Sequence, residues 1–183
     1  KVLIDVINKT PDKVIVFTKF RASHAAITAA LEKHSILFSP LHGGLSRHEK
    51  EKSIKEFQHT TKALVATDVG SEGRNLQFCN HIINFDLPWN PMKIEQRIGR
   101  ISRIGQEKEV HVTNLSAKDT IDDYILYLLD AKINMFELVI GEIDVILGRL
   151  DDEMDFESLI MDAWTKSPDI KQFEGEIAQL GED

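Results

Sequence analysis

The stretch ALVATDVGSEGRN, residues 63–75, decides the fold that we predict for this chain. Its first five residues form a short apolar run, which is typical of a strand buried on both faces of a sheet. Polar residues with two glycines, Gly70 and Gly73, follow at once, and glycine allows a backbone to approach a ligand closely. A buried strand that ends in such a loop indicates a parallel α/β sheet, in which ligands bind beyond the carboxyl ends of the strands.

The sequence on either side of this stretch repeats the alternation. Further strands are predicted at 14–17, within 36–41, and at 81–85 and 109–115, with helices between them at 22–34, 46–57 and 91–103. Ser46 and Glu49 have the spacing of a capping box, and Pro91 suits the first turn of a helix. Strands separated by helices require parallel crossovers. We therefore predict a three-layer α/β domain, a parallel sheet with helices on both faces.

The charge distribution divides the chain in two. Residues 1–110 carry 17 Lys and Arg against 12 Asp and Glu, a net charge of +5, whereas residues 111–183 carry 5 against 18, a net charge of −13. The front can face phosphates, and the back should repel them. From Thr120 the apolar spacing is helical. We expect a domain over 1–118, an acidic C-terminal helical extension packed on it over 119–165, and a flexible tail over 166–183.

Several classes of protein do not fit the composition. The single cysteine, Cys79, cannot form an internal disulfide and suits a reducing cytoplasm. No run approaches the roughly 20 apolar residues of a membrane span, and the first residues lack the pattern of a signal peptide. The seven histidines have no metal-ligand spacing, so no metal site is predicted. A phosphate-binding loop of the form G-x-x-x-x-G-K-[S/T] is also absent from the sequence.

The segment QRIGRISRIGQ, residues 96–106, contains the most distinctive pattern. Arg97, Arg100 and Arg103 recur every three residues on the predicted helix, with Arg100 and Arg103 near one face and Gln96 one turn before Arg100. Guanidinium groups match phosphate oxygens and can stabilise the charge on a transferred phosphoryl group. On spacing alone, a solvated basic helix face explains the pattern better than a phosphate site does.

Two other segments have both a functional and a structural interpretation. In ATDVGSEGRNLQ, residues 66–77, Thr67 can offer a hydroxyl and an N–H group to a phosphate, although a capped glycine loop would have the same sequence. In LHGGLSRHEKEKSIKEF, residues 41–57, two glycines and several basic residues follow a strand, although a solvated amphipathic helix would also have this composition.

Taken in order with VIVFTKF (14–20) and FDLPWNP (85–91), these segments resemble the C-terminal RecA-like lobe of the helicase superfamily that includes DEAD-box and Swi/Snf proteins. The sequence R-I-G-Q at 103–106 and the stretch FDLPWNP are similar to the Swi/Snf family. The segments G-S-E-G-R-N and Q-R-I-G-R look most like its bacterial and archaeal RapA-like members. The resemblance covers about residues 10–130.

The resemblance implies a role for each matching position. Arg100 and Arg103, supported by Gln96, would reach the γ-phosphate of ATP, and Gly73 and Asn75 would lie near its ribose. The nucleic-acid backbone would be gripped by five further residues, Thr18, His42, Gly43, Lys50 and Thr67. The family usually has Arg where Lys50 stands, which puts a bidentate phosphate contact there in doubt. ATP and Mg²⁺ would be held mainly by an N-terminal RecA-like lobe that these 183 residues do not include.

The implied partners are that N-terminal lobe, double-stranded DNA, and RNA polymerase or another DNA-bound complex, with no membrane. We expect a cytoplasmic, nucleoid-associated protein whose isolated second lobe does not hydrolyse ATP. Two alternatives stay open, namely an RNA helicase lobe and a non-catalytic module that binds nucleic acid or a protein.

Overall fold

A computed structural model describes residues 1–88, 91–102 and 108–118, together with residues 120, 126 and 166. A five-stranded sheet forms the centre of this part of the chain. Its strands are β1 Val14–Thr18, β2 Phe38–Leu41, β3 Ala63–Thr67, β4 His81–Asn84 and β5 His111–Asn114. Every pairing is parallel, and the order is β2-β3-β1-β4-β5. Four of the five strands fall within the predicted stretches, and β1 extends one residue beyond its predicted end, to Thr18.

The described helices are α1 Val2–Lys9, α2 Arg21–Lys33, α3 Arg47–His59, α4 Asp68–Ser71 and α5 Pro91–Ile98. The predicted capping box is confirmed, because the Glu49 N–H donates to the Ser46 hydroxyl and the Ser46 N–H donates to the Glu49 carboxylate. Pro91 begins α5, as its fixed φ angle favours. Helix α1 was not predicted, and α4 is a single turn within the loop that follows β3.

Two apolar clusters cover the two faces of the sheet. Successive strand side chains point to opposite faces. Val14 and Val16 pack with α1 and α2, whereas Ile15 and Phe17 pack with α3 and the segments after β3 and α5. Fully buried β1 and β3 explain why their sequences are uninterrupted apolar runs. The predicted three-layer α/β architecture is therefore confirmed.

Helix α5 is shorter than predicted. It ends at Ile98 rather than near Arg103, because Arg100 donates its N–H to the Arg97 carbonyl only three residues back. The turn lets Ile101 enter the core, where it is fully buried. Arg100 thus lies in a turn after the helix, and the prediction that it occupies a helix face was wrong.

The chain divides into two compact units. The first comprises Lys1–Pro88 and Met92–Ser116, and the second comprises Trp89–Pro91 and Ala117–Asp183. The predicted helical extension and tail lie outside the described residues, apart from 120, 126 and 166. The boundaries at 118 and 165 stay predictions. Within the described part of the chain, no helix is both long and apolar enough to cross a membrane.

Candidate functional site

The carboxyl ends of four parallel strands bring several of the predicted site residues to one edge of the sheet. Thr18, the last residue of β1, is in register with Thr67, the last residue of β3. Leu41 ends β2 beside Ala66, and Asn84 ends β4 beside Phe17. The segments that follow these strands contain the motifs described above.

Thr67 lies at this edge of the sheet and is the N-cap of α4. Its side chain is buried, and its hydroxyl accepts a hydrogen bond from the Gly70 N–H at 3.2 Å. A hydroxyl that accepts one hydrogen bond can still donate its own hydrogen. The capping bond therefore fixes the orientation of Thr67 and leaves its donor capacity for another acceptor.

Gly70 sets the contact between α4 and the end of β2. A Cβ atom on Gly70 would lie 2.3 Å from the Leu41 carbonyl oxygen and 2.6 Å from the His42 Cα. Both neighbours are backbone atoms, so only glycine allows this approach. A Cβ atom on Gly43 would likewise lie 3.1 Å from the Val69 side chain. The loop after β3 and the loop after β2 are thus one packed surface, and it brings Thr67 near the His42–Gly43 segment.

Contacts of its imidazole ring fix His42 in that packed surface. The His42 and His24 rings meet edge to face with centroids 5.1 Å apart, and the His42 Nδ1 accepts the Gly44 N–H at 3.2 Å. The Nε2 of His24 lies 3.1 Å from the Val65 carbonyl oxygen. Burial, ahead of the charges of His42 and Arg21, holds the pKa of His24 below its usual value. A neutral His24 that donates Nε2–H to Val65 is the form that this site favours.

Gly73 and Asn75 are exposed, and both precede a buried anchor, Leu76. Gly73 has a φ of +69° with open space where a Cβ would stand, a conformation that other residues adopt with strain. Asn75 is fixed by two hydrogen bonds of 3.1 Å to Gln77, one to its N–H and one to its side chain. Leu76 is fully buried, and its N–H donates to the Arg100 carbonyl at 3.0 Å. One backbone bond thus links this loop to the turn that carries Arg100.

Arg97, for which no role was predicted from the sequence, makes several side-chain hydrogen bonds at this edge. Only 2% of it is exposed. Nε and Nη2 donate to the two carboxylate oxygens of Asp68 at 2.7 and 2.9 Å. Nη1 donates to the Asn84 side chain at 2.9 Å and to the Asp86 carbonyl at 3.1 Å, and the guanidinium lies over the Phe17 ring. Asp68 and Asp86, each just beyond a strand, were the available sequence indication of such a partner.

Asp86 continues this network to the end of β1. Its carboxylate accepts a hydrogen bond from the Thr18 hydroxyl and another, at 2.7 Å, from the Lys19 N–H. One carboxylate oxygen lies 4.0 Å from the Arg97 Nη2. Thr18 is fully buried. Its hydroxyl is therefore directed at Asp86 in this structure.

The remaining predicted residues differ in exposure. Gln96 is exposed, while Arg100 and Lys50 are half-buried, and Arg103 lies outside the described residues. Among the residues that the structure describes, no cluster of three His, Cys, Asp or Glu side chains could hold a metal ion.

A family model described as the helicase conserved C-terminal domain matches residues 1–105. Over 148 residues, the chain is 48% identical to the "Uncharacterized ATP-dependent helicase YqhH" of Bacillus subtilis (strain 168), a match that covers 81% of this chain and 27% of that protein. Over 132 residues, it is 36% identical to the "RNA polymerase-associated protein RapA" of Vibrio campbellii (strain ATCC BAA-1116), covering 70% of this chain and 14% of that protein. The chain therefore spans about a quarter or less of these relatives.

Solved structures show the same fold. The C-terminal part of the Fun30 ATPase domain superposes with a TM-score of 0.65 at 27% identity, over 70% of this chain and 44% of that one. The E. coli DEAD-box protein SrmB, solved in complex with the regulator of ribonuclease activity A, superposes with a TM-score of 0.62 at 26% identity, over 72% of this chain and 76% of that one.

Proposed function

Because this chain belongs to the helicase conserved C-terminal domain family, in its Swi/Snf type and with the RecA-like α/β fold, we propose that it is the second motor lobe of an ATP-dependent DNA translocase. In this proposal an N-terminal RecA-like lobe binds most of the nucleotide. The present chain supplies arginines to the γ-phosphate and grips the backbone of duplex DNA. Hydrolysis drives opening and closing of the two lobes, and the grip moves along the DNA.

The observation that carries the proposal is the hydrogen bond from the Leu76 N–H to the Arg100 carbonyl at 3.0 Å. It joins the loop of Gly73 and Asn75, which would contact the ribose, to the turn of Arg100, which would contact the γ-phosphate. Arg100 is half-buried, so part of it is exposed. A guanidinium so placed stabilises the charge that develops on a transferred phosphoryl group. Gln96 and Arg103 would complete this set.

The nucleotide fits this edge only in part. The open backbone at Gly73 and the exposed Asn75 suit a ribose. A magnesium site does not fit here, because Arg97 and Thr18 already use the carboxylates of Asp68 and Asp86. The ion would neutralise phosphate charge from the N-terminal lobe, which would also cradle the phosphates. We therefore expect the isolated chain to bind ATP weakly and not to hydrolyse it.

The proposed DNA contact uses the packed surface formed by the loops after β2 and β3. His42 and Gly43 lie there next to α4, and Thr67 retains a donor for a phosphate oxygen. Lys50 and the net charge of +5 over residues 1–110 favour a polyanion, and Thr18 stands in register with Thr67. The name of the RapA relative makes RNA polymerase a candidate partner, in the cytoplasm and on the nucleoid.

The test is ATP turnover by the full two-lobed protein, measured without nucleic acid, with duplex DNA and with RNA. Duplex DNA should stimulate turnover more than RNA. Arg100→Ala should reduce stimulated turnover by about 10³-fold or more, the range known for arginine fingers. Lys9→Ala, which removes an exposed cation at the end of α1, is the control and should leave turnover unchanged.

Each outcome separates the candidate functions. Wild-type turnover in Arg100→Ala contradicts the arginine-finger role. Stimulation by RNA alone, with displacement of a labelled strand, would replace the translocase by an RNA helicase. A wild-type protein that binds nucleic acid and never turns over ATP would be the non-catalytic module.

A further inference from the structure

We propose that Arg97 is a positioning residue that couples nucleic acid bound at the ends of β1 and β3 to the placement of Arg100. The inference rests on the proposed function and deepens it. Arg97 itself is buried. Its role follows from what its guanidinium and its backbone connect.

The first connection leads to the loop after β3. The Arg97 guanidinium holds both carboxylate oxygens of Asp68, at 2.7 and 2.9 Å, in a parallel two-bond pairing. Asp68 follows Thr67 directly and is the first residue of α4. Since α4 is pressed against the end of β2 at Gly70, it has little room to adjust alone. A phosphate that pulls on Thr67 therefore also pulls on Asp68 and, through it, on Arg97.

The second connection leads to the end of β1. Arg97 donates to the Asn84 side chain and the Asp86 carbonyl, and one Asp86 carboxylate oxygen lies 4.0 Å from Nη2. That same carboxylate accepts the Thr18 hydroxyl and the Lys19 N–H. Thr67 is thus adjacent in sequence to Asp68, which Arg97 binds. Thr18 is one hydrogen bond away from Asp86, which Arg97 also binds.

The third connection leads to the γ-phosphate side. The Arg97 carbonyl accepts the Arg100 N–H at 3.1 Å, and the Arg100 carbonyl accepts the Leu76 N–H at 3.0 Å. The turn that carries Arg100 is therefore bonded at one end to Arg97 and at the other to the Gly73–Asn75 loop. A shift of the Arg97 backbone changes where the Arg100 guanidinium points.

The burial of the Arg97 side chain makes its hydrogen-bond partners difficult to exchange. A guanidinium that is 2% exposed cannot exchange its partners for water without a large desolvation penalty. The Arg97 guanidinium pairs with two carboxylates, so any rearrangement that lengthens one pairing weakens the compensation of a partly buried negative charge. The loops after β1, β3 and α5 should then move together, which is what coupling between DNA and nucleotide requires.

The experiment uses the full two-lobed protein with Asp68→Asn and Arg97→Lys. Asp68→Asn keeps the shape and removes the charge, and Arg97→Lys keeps the charge and removes the two-bond geometry. Asp12→Asn is the matched control, because Asp12 pairs with Lys108 at 3.2 Å near the opposite, amino-terminal edge of the sheet. For each protein, ATP turnover and KM are measured with and without duplex DNA.

The readout is the ratio of DNA-stimulated to basal turnover. We expect this ratio to fall at least about fivefold in both variants and to stay at the wild-type value in the control. A purely structural lesion lowers the active fraction, which scales both rates equally and leaves the ratio unchanged. The ratio is therefore informative even where a variant is only partly folded.

The outcomes keep the two proposals apart. If wild type shows no stimulation, the proposed function fails, and this inference fails with it. If wild type is stimulated and Arg100→Ala loses turnover, while both Asp68→Asn and Arg97→Lys keep the wild-type ratio, the coupling role alone is overturned.

Discussion

Replacing Gly70 with alanine should destabilise the domain more than the same replacement at Gly73, three residues later in one loop. The added Cβ at position 70 would lie 2.3 Å from the Leu41 carbonyl oxygen and 2.7 Å from the Leu41 carbonyl carbon, whereas ordinary contacts begin at 3.4 Å. The obstructing atoms are backbone atoms at the end of β2, an edge strand of the sheet. A backbone displacement of about 1 Å, not a rotamer change, is therefore required.

The magnitude follows from two opposing effects. Overpacking that moves a backbone costs about 3 kcal/mol, at the upper end of the usual range. Alanine lowers the entropy of the unfolded chain and returns up to about 1 kcal/mol. The net loss is about 2 kcal/mol, which lowers the melting temperature of a domain of this size by about 4–8 °C. At Gly73 the positive φ costs about 1–2 kcal/mol, and the same entropy gain leaves a net loss of about 0–1 kcal/mol, a drop of about 0–4 °C.

Thermal unfolding of both variants and the wild type, followed by circular dichroism at 222 nm, checks the order of these effects. A melting temperature of Gly70→Ala at or above that of Gly73→Ala would refute this order. That result would mean that α4 can separate from the end of β2 at little cost. The packed surface that brings Thr67 near His42 would then not be a fixed feature of the domain.

Three further predictions concern the rest of the fold. Ser46→Ala should lower stability by about 1 kcal/mol in urea unfolding, because it removes the acceptor for the Glu49 N–H; an unchanged midpoint would contradict the capping role. Cys79, whose pKa burial raises to about 11, should react with a thiol reagent far more slowly in the native protein than in urea, and equal rates would show that it is accessible. Burial, followed by the charge of His111, lowers the pKa of His81, so protonation favours the unfolded state. The melting temperature should therefore fall as pH drops below about 6.5, less steeply in His81→Asn, and equal slopes would contradict this.

The strands could be predicted from sequence because each is a local pattern with a physical cause. A strand that is buried on both faces needs an uninterrupted apolar run, and ALVAT coincides with β3 residue for residue. The capping box is likewise local, since Ser46 and Glu49 satisfy each other's backbone N–H groups. The order of the strands in the sheet, by contrast, could not be predicted from a local pattern. Nothing near β1 in the sequence indicates that it lies between β3 and β4, because that choice depends on contacts some 50 residues away.

Two errors have specific physical explanations. Helix α1 carries Leu3, Ile4 and Ile7 on one buried face, and this spacing was visible in the sequence but was not used. Helix α5 was extended to Arg103 because the arginine spacing looks helical. The chain turns at Gly99 instead, since burial of Ile101 and the bond from Leu76 to Arg100 outweigh helix continuation. The roles predicted for the site residues stay predictions.

Because α5 ends at Ile98, the regular spacing of the arginines has a different structural consequence from the one predicted. On a continuous helix, Arg97 and Arg100 would have similar surroundings and would compete for the same anion. In the structure, Arg97 occupies the last turn of the helix and points into the sheet edge, where Asp68 neutralises it, while Arg100 lies beyond the helix and stays half-buried. One arginine is thus fixed by the protein's own carboxylates, whereas the next is the one that we propose to contact a phosphate. Because the first determines where the turn of the second begins, removal of Asp68 should impair Arg100 without touching it.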